Sequence, residues 1–208
     1  MSDTITVYSD YVCPFCYLGK ASLESYLDDR EDPPAVEWHQ FDLRGHKRGP
    51  DGEIRDGVED GKDEAYFEQV RENVARLRER YDVEMLDLDD LPDDVDSWDA
   101  QVVALHVQRE HDPETFRAFH EGLFAALWQD GRDIGDEDVL VDVADSAGVP
   151  AAEVREAVDD DALDQQLRER FEAAKRQGVS AVPTFVHGEH GARGAVPPEQ
   201  LERLVEGT

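Results

Sequence analysis

This sequence is poor in cysteine, in lysine and in long apolar runs. Its 208 residues contain two cysteines, Cys13 and Cys16, too few for a disulfide framework, and both fall within YSDYVCPFCYLGK, residues 8–20. Lysine appears as Lys20, Lys47, Lys62 and Lys175, so arginine supplies most of the 21 basic residues that face 51 acidic ones. The net charge of −30 excludes nucleic acid as an expected partner, because nothing offsets repulsion from phosphates. It suits a halophilic, salt-rich cytoplasm, where screening over about 3 Å at 1 M salt relieves self-repulsion. No apolar run approaches the roughly 20 residues of a spanning helix, and MSDTITVYSD lacks a basic region followed by an apolar stretch. The expectation is a cytoplasmic chain with no membrane partner. Low-complexity linkers and internal repeats are also lacking, which leaves one domain, or one domain with a large insertion.

Apolar periodicity then orders the chain. TITVY at 4–8 alternates as a strand, CPFCYLGKASLESYLDD reads as a helix with Cys13 as N-cap and Pro14 in its first turn, and AVEWHQFDL alternates again after Pro33-Pro34. Strand, helix, strand is a βαβ unit. Arg44 to Lys62 is rich in glycine and charge and reads as a long loop. Helices follow over Asp63–Tyr81, with Tyr66, Phe67, Val70, Val74, Leu77 and Tyr81 at helical spacing, then from Ser97 to about Arg109, Asp112 to Trp128, and from Gly135-Asp136 onward. Two more are expected over Pro150–Val158 and Asp160–Gln177. The acidic clusters at 87–96 and 159–161 read as solvated surface. Finally PTFVH is a short strand, GEHGARGA a turn with a returning strand, and PPEQLERLVEG a closing helix. The fold class is therefore α/β, a split domain over 1–62 and 178–208 with a helical insertion over 63–177.

The cysteine pair carries the chemistry. A Cys at an N-cap with a partner three residues on sets both sulfurs at one helix end, where unpaired N–H groups favour a thiolate. Cys13 is expected to be the more exposed nucleophile, and Cys16, one turn inside, the resolving thiol. Zinc needs about four ligands, and no third cysteine exists; His187 and His190 fall in a hairpin, and His106, His111 and His120 on amphipathic helices, so no metal is expected. A distant stretch, GVSAVPTFV at 178–186, places a proline at a strand start, where a cis Val182-Pro183 bond would be a device rather than an accident.

With CPFC after a first strand and VPT before a late one, the chain resembles the thioredoxin superfamily, and its helical insertion resembles the DsbA branch. VCPFCYLGKASLE, WDAQVVALHVQREH, FHEGLFAALWQDGRDIGDEDVLVDVADSAGV and GVSAVPTFVHGEHGARGAVPPEQLE are similar to the FrnE-like group of that branch. The resemblance implies a thioredoxin fold with the insertion between its βαβ and ββα halves, and a thiol-disulfide oxidoreductase. It implies Cys13 and Cys16 as the reacting pair, Pro14 and Phe15 between them, and Val182 offering its backbone to a substrate beside cis-Pro183. The substrate would be a protein or small-molecule thiol or disulfide, with no cofactor beyond the redox-active disulfide, and monomer and homodimer both stay open. Where DsbA has a histidine between its cysteines this chain has Phe15, which implies a less oxidising couple. A second resemblance, to 2-hydroxychromene-2-carboxylate isomerases and kappa-class transferases, implies glutathione as a cofactor. Those enzymes carry a serine near the first cysteine position. In either case Phe119, Phe124 and Trp128 are candidates to line an apolar cleft, against their plain reading as helix core.

Overall fold

A computed structural model describes residues 3–49, 52–55, 58, 61 and 63–207. Strand β1 (Thr4–Ser9) leads through helix α1 (Pro14–Asp28) to strand β2 (Ala35–Gln40). Then come helices α2 (Glu64–Tyr81), α3 (Trp98–Glu110), α4 (Pro113–Trp128), α5 (Glu137–Ser146), α6 (Ala151–Val158) and α7 (Asp161–Arg176). Strands β3 (Thr184–His187) and β4 (His190–Arg193) and helix α8 (Pro198–Glu206) close the chain. The sheet runs β2-β1-β3-β4, with β1 parallel to β2 and antiparallel to β3, and β3 antiparallel to β4. This is the α/β thioredoxin fold that the sequence resemblance implies, with the helical block between its two halves. The outer ends of the two sequence segments, residues 1, 2 and 208, lie outside the described residues, as do 50, 51, 56, 57, 59, 60 and 62 of the loop between β2 and α2.

Side-chain periodicity divides the core. Ile5, Val7, Leu23, Tyr26, Phe185, Leu201 and Leu204 pack as one cluster between the sheet, α1 and α8. The other cluster is larger and runs without a break from Tyr8, Cys16 and Leu18 into Val103, Leu123, Leu140 and Leu167. The helical segment thus shares a core with the α/β part and buries its apolar stripes against it.

Three local expectations change. On α2 only Val74 is buried, and Tyr66 and Phe67 stand 46% and 45% exposed, because just the C-terminal half of the helix lies against the body. Ser97 holds the N-cap position of α3 but makes no capping bond, its hydroxyl being drawn to Asp10 instead. The acidic run 87–96 is not simply solvated surface: Val95 is buried, and Asp96 accepts from both terminal guanidinium nitrogens of Arg48 at 2.8 and 2.9 Å. Arg48 also reaches Asp42 at 3.1 Å and lies 4.4 Å from the Trp98 ring centroid, so it pins the long loop to the start of α3.

Candidate active site

Register brings the two distant motifs together. Thr6 faces Val186 and Tyr8 faces Thr184 in the antiparallel β1–β3 pair. Continuing that count, the residues before Thr184 run beside those after Tyr8, so Val182 and Pro183 meet the turn that leads into α1. The Val182–Pro183 bond is cis, and Cys13 Sγ lies 3.7 Å from the Val182 carbonyl oxygen to which it donates.

Cys13 is the N-cap of α1, with extended backbone (φ −94°, ψ 115°), and Pro14 follows where its missing N–H is no loss. The Cys13 N–H donates to the Asp10 carbonyl, and the Cys13 carbonyl accepts from Cys16 N at 2.9 Å. Neither thiol is in a disulfide. Cys16 is 1% exposed, and burial pushes its thiol pKa well up, reinforced by the neighbouring Cys13. Cys13 is, as expected, the more exposed of the pair, but only at 3%: it too is buried, beneath the Val182 segment. Val182 is itself buried and its carbonyl is engaged by the thiol, whereas Pro14 and Phe15 are half-buried at the rim.

The surround is aromatic and hydrogen-bonded. Tyr17 stacks on Trp128 with ring planes 12° apart, Tyr11 packs on Phe124, and Trp128 Nε1 donates to the Tyr11 carbonyl at 2.8 Å. Phe119, Phe124 and Trp128 do not line an open cleft: they are fully buried core, since α4 turns that face onto the active-site turn. The small cavity bordering Ser9 and Tyr11 is lined instead by Trp38, His39, Gln40, Phe116 and His120.

Sequence reading missed Asp10. Its carboxylate is 1% exposed and accepts from Val12 N (3.3 Å), Leu43 N (2.8 Å), Ser97 Oγ (2.6 Å) and Gln101 Nε2 (3.3 Å). One side chain therefore ties the turn before Cys13 to the segment that follows β2 and to α3. Burial raises its pKa to about 6, against the pull of the Ser97 hydroxyl. It also missed the buried pair in which Tyr11 Oη and His120 Nδ1 lie 2.8 Å apart; burial lowers the His120 pKa to about 3. The signal for Asp10 was faint, an acid set among Tyr8, Tyr11 and Val12, and for His120 there was only its place on the apolar stripe of α4.

Residues 4–206 match the family model of the DSBA-like thioredoxin domain. The chain belongs to that family. Among curated proteins, this DsbA-like chain is 29% identical to the uncharacterised protein YwbO of Bacillus subtilis (strain 168), across 99% of this chain and 96% of YwbO. A crystal structure of a probable DsbA oxidoreductase from Streptomyces coelicolor superposes with a TM-score of 0.78 at 23% identity, covering 98% of this chain and 90% of that one. A 2-hydroxychromene-2-carboxylate isomerase also superposes at 0.78, with 18% identity over 98% and 93% of the two chains. Both structures share the fold, helical segment included.

Proposed function

We propose that this DsbA-like chain is a thiol-disulfide oxidoreductase acting through the Cys13-Pro14-Phe15-Cys16 pair opposite cis-Pro183. The observation that carries the reading is the contact of Cys13 Sγ with the Val182 carbonyl, which sets a helix-start thiol against the proline loop with a second thiol one turn behind it. In the reducing direction the Cys13 thiolate attacks one sulfur of a substrate disulfide, forming a Cys13–substrate bond and expelling one substrate thiolate. Cys16, once deprotonated, attacks Cys13 Sγ, closes the Cys13–Cys16 disulfide and expels the second thiolate. The two protons given up by the cysteines go to the two substrate thiolates, and the substrate gains the two electrons the protein loses. The oxidising direction is the reverse. Because Cys13 is covered, substrate entry requires the Val182 carbonyl to give up its thiol contact and turn to the substrate backbone. A cytoplasmic, salt-rich setting belongs to this reading, supported by the charge of −30.

An insulin-reduction assay tests it. Cys13→Ser should abolish turnover, and Cys16→Ser should stall as a trapped mixed disulfide on Cys13; activity undiminished in Cys13→Ser would refute the assignment. The equal superposition on the isomerase favours a second reading, a glutathione-dependent isomerase or transferase. That reading requires saturable glutathione binding and turnover that survives Cys16→Ser.

A further inference from the structure

We propose that His106, His111 and Glu153 form a binding site for one divalent transition-metal ion of the zinc class, apart from the cysteine pair and independent of its chemistry. The three residues each offer one ligand atom, and those atoms lie within 4.8 Å of one another. Both imidazoles aim Nε2 at the same carboxylate oxygen, His106 at 3.3 Å and His111 at 2.8 Å from Glu153 Oε2. Tetrahedral zinc with bonds of about 2.0–2.1 Å needs ligand atoms about 3.4 Å apart, a spacing these side chains reach by small rotations.

The backbone holds all three in place. His106 lies near the end of α3, and His111 is its C-cap, with extended backbone (φ −115°, ψ 168°) and its N–H returned to the Val107 carbonyl. Asp112 and Pro113 begin α4 at the next step, with Asp112 accepting from Glu114 N and Thr115 N, so the corner at His111 is fixed from both sides. Glu153 sits in the first turn of α6, its N–H on the Pro150 carbonyl at 2.9 Å. Val103 and Val107 of α3 and Val154 and Ala157 of α6 are buried, which anchors both helices in the shared core. A site carried by packed helices needs little reorganisation to bind.

The chemistry selects the ion. Two imidazoles and one carboxylate suit zinc, nickel or copper, whereas magnesium and calcium demand oxygen ligands. The side chains are 20%, 19% and 36% exposed, open enough for an ion to enter and keep a water as fourth ligand. In the ion-free form the imidazole Nε2–H groups donate to the carboxylate; binding replaces those bonds and moves each ring proton to Nδ1. The ion would cross-link the α3–α4 corner to α6.

The test is calorimetric titration of the 208-residue chain with Zn²⁺, its Cys13–Cys16 disulfide closed so that thiolates do not compete, in molar KCl with excess Mg²⁺ to saturate the acidic surface. One equivalent should bind. His106→Ala and His111→Ala should each weaken it by at least about tenfold, since loss of even an outer partner costs 10–100-fold. No binding by the wild type, or equal binding by both variants, overturns the proposal. Should a variant fail to fold, histidine ring resonances of the wild type decide: of the seven histidines, Zn²⁺ should shift those of His106 and His111 selectively. Uniform shifts, or none, mean that the acidic surface alone attracts the ion.

Discussion

Asp10, buried in the turn before Cys13, and His120, buried against Tyr11 of that turn, titrate in opposite senses. Asp10 keeps its proton in the fold up to pH about 6, while an unfolded aspartate loses it near 3.9. Between those values the native state binds more protons, so this group's contribution to stability falls as pH rises from about 4 to 6, by of the order of 3 kcal/mol. His120 stays neutral in the fold down to about 3, while an unfolded histidine takes up a proton near 6.5. Its contribution is therefore present above pH 6.5 and lost as pH falls towards 3, by up to about 5 kcal/mol. Urea unfolding from pH 4 to 7 separates the two. Asp10→Asn should be at its greatest disadvantage against wild type at pH 4, with the gap narrowing towards pH 7. His120→Gln, which retains an acceptor for Tyr11, should gain on wild type as the pH is lowered. Parallel stability curves for all three proteins would show that neither group titrates as described. Cys13 is the third residue at this scale, and its replacement by serine should remove exchange activity without unfolding the chain, as read by insulin reduction.

At the scale of elements, α1 is held unusually close to the proline loop. A Cβ on Gly19 would stand 3.0 Å from Pro183 Cγ and 3.3 Å from Phe185 Cζ, so glycine is what lets the helix approach. Ser22 Oγ donates to the Val196 carbonyl at 2.7 Å and fastens the same helix to the segment after β4. Gly19→Val should push Pro183 away from Cys13, lowering stability by roughly 2–3 kcal/mol in urea and slowing disulfide exchange. An unchanged unfolding midpoint would show that the loop yields freely. Most elements were legible because each announces itself locally: Cys13-Pro14 starts α1, Asp112-Pro113 starts α4, and the period changes at PTFVH. What misled was also local. Tyr66 and Phe67 have helical spacing, but spacing does not say whether a neighbour covers that turn. Ser97 stands where a cap belongs, yet a buried carboxylate 87 residues earlier competes for its hydroxyl.

For the whole molecule the governing quantity is charge. With −30 on 208 residues, repulsion opposes compaction, and the ion pairs formed by Arg71, Arg78 and Arg155 are exposed and weak individually. We propose that molar salt supplies the missing screening. The melting temperature should climb between dilute buffer and 2 M KCl, by about 2–4 °C for each kcal/mol of repulsion relieved. A melting temperature independent of KCl would argue against it. Composition, element order and the placing of both cysteines at a helix start were determined by the sequence alone, because charge is a sum and periodicity a property of near neighbours. The cover over Cys13, the four-way hold on Asp10, the choice of core over cleft for Phe119 and Phe124, and the meeting of His106, His111 and Glu153 were decided only by the tertiary structure. Each depends on which segment returns to which, as when Cys13 meets a carbonyl 169 residues later, and no local pattern records that choice.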